Sequence, residues 1–194
     1  MVLIQKGLPP DLVGPASELV LSALWEKFVP ILGDDSRAIE AVASSIAVSN
    51  CFCALKNSAL VGLLAMQTRN QNFLNFRFDD LYTRYGLWRA VVKGIALHFL
   101  QHKPSHGELY VEGVAVVDSA RGKGVGTRLF DALMNFARTR NYETISLEVI
   151  DTNIQALKLY ERLGFTIQKR TQLWPANKLI GWPFKESILM AYAL

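Results

Sequence analysis

The sequence predicts an α/β fold in which a central sheet is flanked by helices. Two patterns support this prediction. The hydrophobic period switches repeatedly between two and 3.6 residues, and a turn of alternating glycines, Arg121 to Gly126, connects an apolar strand to an amphipathic helix. The length of 194 residues and the 51% hydrophobic content fit a single domain over residues 1–194 with a substantial core.

Strands and helices alternate from the N-terminus to the glycine turn. Pro30 is expected to interrupt the first helix because proline lacks the backbone N–H. Asp34 or Asp35 is available to cap the second helix, and Asn57 with Ser58 supplies a hairpin turn. The elements expected here are a strand at Val2–Lys6, helices beginning near Pro9 and Ser36, strands at 51–56 and 60–68, a helix at 78–102 broken by Gly86, and a strand at 108–117.

The aromatic residues between the hairpin and the glycine turn have two interpretations. They form either the packed face of a long helix or an apolar wall of a pocket. They are Phe73, Phe76, Phe78, Tyr82, Tyr85 and Trp88.

The glycine turn itself predicts a phosphate site. Alternating glycines between a strand and a helix leave backbone N–H groups directed at one point, where the helix dipole also favours negative charge. Gly122, Gly124 and Gly126 remove the Cβ atoms that would hold a ligand away, and Arg121 and Lys123 add positive charge. The residues therefore favour a bound pyrophosphate over a merely convenient tight turn.

Three other phosphate-binding motifs are excluded by spacing. A Walker A loop requires G-x-x-x-x-G-K-[ST], and no such run ends at Lys123. A dinucleotide fingerprint requires a third glycine where Thr127 stands, and the H-R-D and D-F-G motifs of protein kinases are absent.

The remainder of the chain continues the alternation. A helix is expected over about 124–140, a strand over 144–150, and a short helix that begins after Asn153 and ends at Gly164. Strands at 165–171 and 187–193 complete the pattern.

Composition restricts the class of protein. The net charge of +4 is spread along the chain, which favours an anionic ligand over nucleic acid. The N-terminus lacks secretory features, and no apolar window approaches the roughly 20 residues of a membrane span, so we expect a cytoplasmic protein without a membrane partner. Cys51 and Cys53 read as reduced core thiols, and the histidines 98, 102 and 106 predict no metal site.

Two motifs resemble the GNAT superfamily of acyl-CoA N-acyltransferases. The segment from Val114 to Gly126 is similar to the strand and pyrophosphate loop of that family, whose core [QR]-x-x-G-x-[GA] is filled by Arg121, Gly124 and Gly126. The segment from Leu147 to Phe165 is similar to the family signature L-E-V…N-x-x-A-x-x-L-Y-x-x-x-G-F. The resemblance covers roughly two thirds of the chain.

The resemblance implies a mixed, mostly antiparallel sheet that splays between its fourth and fifth strands and binds acetyl-CoA there, with pantetheine pairing like an added strand. Residues 108–165 would hold coenzyme A, and residues 10–50, 69–107 and 172–186 would form the acceptor side. We expect Asn153, Ala156 and Tyr160 to share one face of the short helix. The expected cofactor-binding residues are Val114, Ala115, Val116, Arg121, Gly122, Lys123, Gly124, Val125, Gly126, Thr127, Asn153, Ala156 and Tyr160.

Acetylation of an amine needs a group that removes a proton, because an alkyl ammonium has a pKa near 10.4. The resemblance places Glu112 and Glu148 as candidate bases beside the splay, and Tyr160 as the group that protonates or hydrogen-bonds the leaving sulfur. A backbone N–H near Val114 would polarise the thioester carbonyl. The alternatives are a solvated rim charge for each glutamate and a packing role for Tyr160.

The acceptor stays open between three classes. The first is a small-molecule amine, the second is a protein or peptide N-terminus or lysine, and the third is a noncatalytic acyl-CoA binding module. A closed aromatic pocket would favour the first class and an open groove the second. The resemblance also admits a homodimer.

Overall fold

A computed structural model describes residues 1–194 and contains one seven-stranded mixed sheet. The strands are β1 (Leu3–Lys6), β2 (Cys51–Lys56), β3 (Ala59–Gln67), β4 (Glu108–Val116), β5 (Thr144–Ile150), β6 (Thr166–Gln172) and β7 (Glu186–Ala193). Their order in the sheet is β1-β2-β3-β4-β5-β7-β6, and every neighbouring pair is antiparallel except β4 and β5. The predicted fold class is confirmed.

Eight α-helices cover the sheet. They are α1 (Val13–Ala23), α2 (Trp25–Leu32), α3 (Ser36–Ser45), α4 (Phe78–Tyr85), α5 (Leu87–His98), α6 (Val125–Thr139), α7 (Ile154–Arg162) and α8 (Ala176–Ile180). None of these helices is long and apolar enough to cross a membrane.

The core consists of two buried clusters. One cluster contains residues of α1 to α5 together with the β2 and β3 side chains Cys51, Cys53 and Leu63. The other contains Leu129, Phe130 and Leu133 of α6 with side chains of β2 to β5 and β7. Because successive strand residues point to opposite faces, a strand buried on both faces reads as the continuous apolar run seen in β3.

The parallel pair β4–β5 is the opening in the sheet. Its pairing runs from Glu108–Thr144 to Val111–Leu147 and stops there, although both strands continue. On its other side β4 pairs with β3, where Glu112 is the extra residue of a bulge between the pairs Ala65–Gly113 and Met66–Val111. The two strands therefore separate from Glu112 and Glu148 onward, which is the splay that the resemblance implied.

Three local predictions were wrong. The first helical region is interrupted at Leu24, whose φ of −113° and ψ of 28° separate α1 from α2, whereas Pro30 lies inside α2. Pro30 cannot donate the backbone hydrogen bond to the residue four positions before it, and α2 ends two residues later, at Leu32. The helix that follows Gly86 ends at His98, four residues before its predicted end at residue 102. Asn153 is the N-cap of α7 and not a member of its helical face.

Candidate active site

The glycine turn leads directly into α6. Gly122 and Gly124 have φ values of 70° and 76°, which lie in the left-handed region that glycine adopts without strain. Gly124 is the N-cap of α6, and no side chain caps that helix. The first amides of α6 therefore have no side-chain partner, and a helix N-terminus of this kind favours an anion. Gly126 already belongs to the helix, so its small size rather than its φ is what matters there.

The cations of the turn contact the protein itself. The Arg121 guanidinium pairs with Asp118 at 2.9 Å and donates to the Val116 carbonyl at 3.1 Å. Lys123 donates to the Ser119 carbonyl at 2.7 Å. These contacts orient Arg121 along the edge of the turn, and the backbone amides are the donors that remain directed outward.

A continuous cleft runs from this turn into the splay between β4 and β5. Eleven of the thirteen residues predicted to bind the cofactor line the cleft; the exceptions are Ala115, which lines a separate cavity, and Lys123. Ala115 does not line the cleft because alternate β4 side chains face opposite sides of the sheet. The eleven are Val114, Val116, Arg121, Gly122, Gly124, Val125, Gly126, Thr127, Asn153, Ala156 and Tyr160.

Tyr160 lines the cleft and is buried. Its ring packs edge-on against Phe130 with centroids 5.6 Å apart and tilts against Phe165 at 6.1 Å. Burial raises the pKa of the Tyr160 phenol to about 12, so the group keeps its proton at neutral pH. A protonated phenol here is suited to donate to a leaving thiolate.

Asn153 has a structural task at the start of α7. Its Oδ1 accepts a hydrogen bond from the Ala156 amide at 3.1 Å, which satisfies one of the free amides of the first turn. The spacing of Asn153, Ala156 and Tyr160 thus reflects a helix cap followed by two helical positions.

Glu112 lies in the bulge of β4, and backbone amides of the loop that follows β3 hold its carboxylate. Its two carboxylate oxygens accept hydrogen bonds from the Phe73 amide at 2.6 Å and the Leu74 amide at 3.2 Å. Desolvation raises the pKa of Glu112 to about 7, and these two hydrogen bonds oppose the shift. The carboxyl group is therefore partly ionised near neutral pH.

Glu148 lies across the splay on β5. Its Oε2 accepts a hydrogen bond from the Ser187 hydroxyl at 2.7 Å. Lys27 of α2 shares this junction; burial lowers the pKa of its ammonium, and the charge of Glu148 opposes that effect. Two carboxyl groups and one amine thus border the point where the strands part.

A second, apolar cavity adjoins the cleft at this junction. It is lined by 25 residues, 17 of them hydrophobic, and has a volume of about 110 Å³. The aromatic residues between the hairpin and the glycine turn fit neither interpretation alone, the packed face of one helix or the wall of a pocket. Phe73 and Phe76 line the cavity, Tyr85 packs in the core, and Phe78, Tyr82 and Trp88 are exposed.

Sequence reasoning placed residues 10–50 on the acceptor side but singled out none of the residues of α1 and α2 that border the site. Residues 22–27 line the cleft, and Leu24 and Lys27 line both the cleft and the apolar cavity. Leu24 also accounts for the glycine at position 113, because a Cβ added to Gly113 would lie 2.8 Å from Leu24 Cδ1. The uninterrupted apolar stripe of the first helical region concealed this break, and only a helix-breaking residue would have revealed it.

The mixed sheet that splays at a parallel pair, with a glycine turn at the head of a helix, defines the N-acetyltransferase class of fold. The sequence matches the acetyltransferase (GNAT) family over residues 20–165, and the chain belongs to this family. The family predicted from the sequence is confirmed, and the predicted class of enzyme, an acyltransferase, is the class of that family.

Three known proteins illustrate the similarity. N-alpha-acetyltransferase 60 of Drosophila melanogaster is 30% identical over 124 residues, which are 59% of this chain and 44% of that protein. Thialysine N-epsilon-acetyltransferase of Mus musculus is 26% identical over 98 residues, 50% of this chain and 58% of that protein. The crystal structure of Arabidopsis thaliana NAA60 in complex with acetyl-CoA superposes with a TM-score of 0.61 at 14% identity, covering 100% of this chain and 99% of that one.

The chain spans about half the length of these curated relatives. The structural likeness, at 14% identity, concerns the fold.

Proposed function

We propose that the protein transfers an acetyl group from acetyl-CoA to a small primary amine by direct attack in a ternary complex. One observation carries this proposal: the cleft that begins at the glycine turn ends beside Glu112, Glu148 and Tyr160, where the apolar cavity adjoins it. One cavity would then hold the acyl donor and the other the acceptor, with the acid and base groups between them.

In this proposal the diphosphate of coenzyme A binds the amides of residues 122–126, at the N-terminus of α6. Pantetheine lies in the splay, where β4 has lost its pairing with β5 beyond Val111. Its amides pair with backbone groups of Val114, Ala115 and Val116, by the same geometry as an added strand. The acetyl thioester then reaches Tyr160.

The chemistry follows from the groups at the junction. A carboxylate takes the proton from the ammonium, and the freed nitrogen lone pair attacks the thioester carbonyl to form a C–N bond. The nitrogen loses its second proton to solvent, and the carbon–sulfur bond breaks as the tetrahedral intermediate collapses to the amide. The sulfur takes a proton from Tyr160 to leave as a thiol, and solvent reprotonates the phenolate. An amide near Val114 stabilises the oxyanion.

Glu148 is the proposed base, with Glu112 in a supporting role. Only Oε2 of Glu148 is engaged, by Ser187, so Oε1 is available to the ammonium or to a bridging water. Glu112 uses both oxygens to hold the amides of Phe73 and Leu74. With a pKa of about 7, part of the Glu112 population is ionised at neutral pH and can accept a proton. Separate mutation of Glu112 and Glu148 distinguishes their roles.

A small acceptor is favoured by the shape of the second cavity. Phe28, Phe73 and Phe184, from three separate segments of the chain, line it. These segments fall within the ranges expected to form the acceptor side, and we propose that residues 1–194 act as one N-acetyltransferase domain. Its cytoplasmic location stays a prediction.

A peptide N-terminus is the second candidate acceptor. Similarity to N-alpha-acetyltransferase 60 favours it. The test is a thiol-release assay with acetyl-CoA against primary amines and short peptides, with acetyl-CoA binding measured separately by calorimetry. Release with an amine supports the proposal, whereas binding without release to any acceptor supports a noncatalytic module.

A further inference from the structure

The apolar cavity is informative because its charged groups are confined to one end. The charged side chains that line it are Lys27, Glu112 and Glu148, and all three also line the cleft. They therefore mark the mouth, where the acetyl group would be transferred. The remainder of the cavity has no acidic and no basic side chain.

The interior of the cavity is built from apolar side chains of distant segments. Phe73, Leu97 and Phe184 are buried there, with at most 5% of their surface exposed. Trp182 completes this wall and is fixed by a hydrogen bond from its indole N–H to the Lys27 carbonyl at 3.0 Å. The wall is therefore held in place by the core and by α2.

Five neutral polar side chains also line the cavity: Gln67, Asn72, Gln101, Tyr110 and Ser187. Gln101 is exposed, and the Ser187 hydroxyl is engaged by Glu148. The amide of Gln67 donates to the His102 carbonyl at 2.7 Å, which turns that donor away from a ligand. A second ammonium or a chain of hydroxyl groups would lose its hydration here without gaining a carboxylate partner. An apolar substituent has no such hydration to lose.

The volume limits the size of that substituent. The cavity measures about 110 Å³, somewhat below the roughly 150 Å³ apolar cavity that binds benzene in another protein. A group of at most about six carbon atoms fits this space, and any short link to the ammonium lies at the mouth.

We infer that the acceptor is a primary monoamine with one compact apolar substituent, either a short alkyl chain or a phenylalkyl group, and not a polyamine, an aminoglycoside or a peptide. This inference rests on the proposed acetyl transfer. The ammonium lies at Glu112 and Glu148 and the substituent lies against Phe73 and Phe184. The reaction yields the N-acetylamine and free coenzyme A thiol.

The first test compares matched amines in the thiol-release assay. Butylamine and 1,4-diaminobutane have the same carbon chain and differ by the second ammonium. We expect kcat/KM for butylamine and phenethylamine to exceed that for 1,4-diaminobutane by roughly 100-fold or more, because the diamine must bury an unpaired charge. A tetrapeptide with a free N-terminus serves as the third arm.

The second test places a substitution inside the cavity. Ala65 of β3 is 5% exposed and lines the cavity, so Ala65→Val fills part of it. The matched control is Ala59→Val, the same change at an exposed position of the same strand. We expect Ala65→Val to lower kcat/KM roughly 10-fold more for phenethylamine than for ethylamine, and Ala59→Val to leave that ratio unchanged.

Each outcome has a definite meaning. Equal or better turnover of 1,4-diaminobutane or the peptide overturns the inference and leaves the proposed acetyl transfer intact. An Ala65→Val effect of equal size on phenethylamine and ethylamine overturns the assignment of the substituent to this cavity. Absence of thiol release with every acceptor, while acetyl-CoA binds, overturns the proposed function and the inference together.

Discussion

The Glu112 carboxylate accepts a hydrogen bond of 2.6 Å from the Phe73 amide, which joins the bulge of β4 to the loop that follows β3. Phe73 is fully buried and lines the apolar cavity. The same carboxyl group that borders the splay thus holds a wall of the neighbouring cavity. Acid–base behaviour and the shape of the cavity are therefore linked through one residue.

The first prediction concerns the pH dependence of stability. The pKa of Glu112 is about 7 in the folded protein, against about 4.3 for a glutamate in an unfolded chain. Between these values the folded state binds the additional proton, so the free energy of unfolding falls as pH rises and becomes level above about pH 7. The full change is on the order of 3 kcal/mol.

Urea unfolding of Glu112→Gln tests this dependence. The variant is expected to lose most of the fall between about pH 5 and about pH 7 that the unmodified protein shows. Glu161→Gln, an exposed change on α7, is the control and should keep the fall. An identical pH profile in Glu112→Gln would show that this carboxyl group has an ordinary pKa.

The second prediction separates the two glutamates in catalysis. Glu148→Gln removes the proposed base and is expected to lower kcat by roughly 100-fold or more, with little change in acetyl-CoA binding. Glu112→Gln retains one acceptor for the Phe73 and Leu74 amides and is expected to raise KM for the amine more than it lowers kcat. Steady-state kinetics with butylamine decide between them, and the reverse pattern would transfer the role of base to Glu112.

The third prediction concerns the phenol of Tyr160. Tyr160→Phe keeps the ring contacts with Phe130 and Phe165, so the melting temperature should change little. Turnover should fall roughly 100-fold because the leaving sulfur loses its proton donor, while the Kd for acetyl-CoA stays within a factor of about three. Unchanged turnover would leave Tyr160 with a packing role only.

The fourth prediction compares two glycines. Gly124→Ala introduces a side chain at a φ of 76°, which costs about 1–2 kcal/mol of stability and displaces the amides of the turn. Acetyl-CoA binding should weaken markedly. Gly94→Ala, inside α5, is the control and should stabilise the protein by about 0.5–1 kcal/mol with no effect on binding. Calorimetry measures both, and equal binding by the two variants would count against the turn as the diphosphate site.

The fifth prediction compares two helix caps. Asn153→Ala removes the cap of α7 and Asp35→Ala removes the cap of α3, where Asp35 accepts from the Ala38 amide at 3.3 Å. Each is expected to cost about 1 kcal/mol of stability. Only Asn153→Ala should also weaken acetyl-CoA binding, because α7 lines the cleft. Equal binding by both variants would make Asn153 purely structural.

The sequence predicted the parts of the site that depend on local spacing. The turn at Gly122 and Gly124, the strand that ends at Ile150 and a cap at Asp34 or Asp35 all follow from nearest neighbours along the chain. Each is observed, with Asp35 as the cap. These features need no knowledge of distant contacts.

Other features depend on contacts between distant residues. The hydrogen bonds of Glu112 reach Phe73 and Leu74, 39 and 38 residues away, and no local pattern indicates them. The pKa of Glu112 depends on the burial that these segments create. The same is true of the apolar cavity, whose walls come from both ends of the chain.

The proposed function depends on coenzyme A entering the splay with its diphosphate on the glycine turn. A crystal structure with coenzyme A and butylamine is the decisive measurement. We expect diphosphate oxygens within hydrogen-bond distance of the amides of residues 122–126, sulfur beside Tyr160, and the butyl group against Phe73. Coenzyme A bound elsewhere, or an unfilled space between β4 and β5, would contradict it.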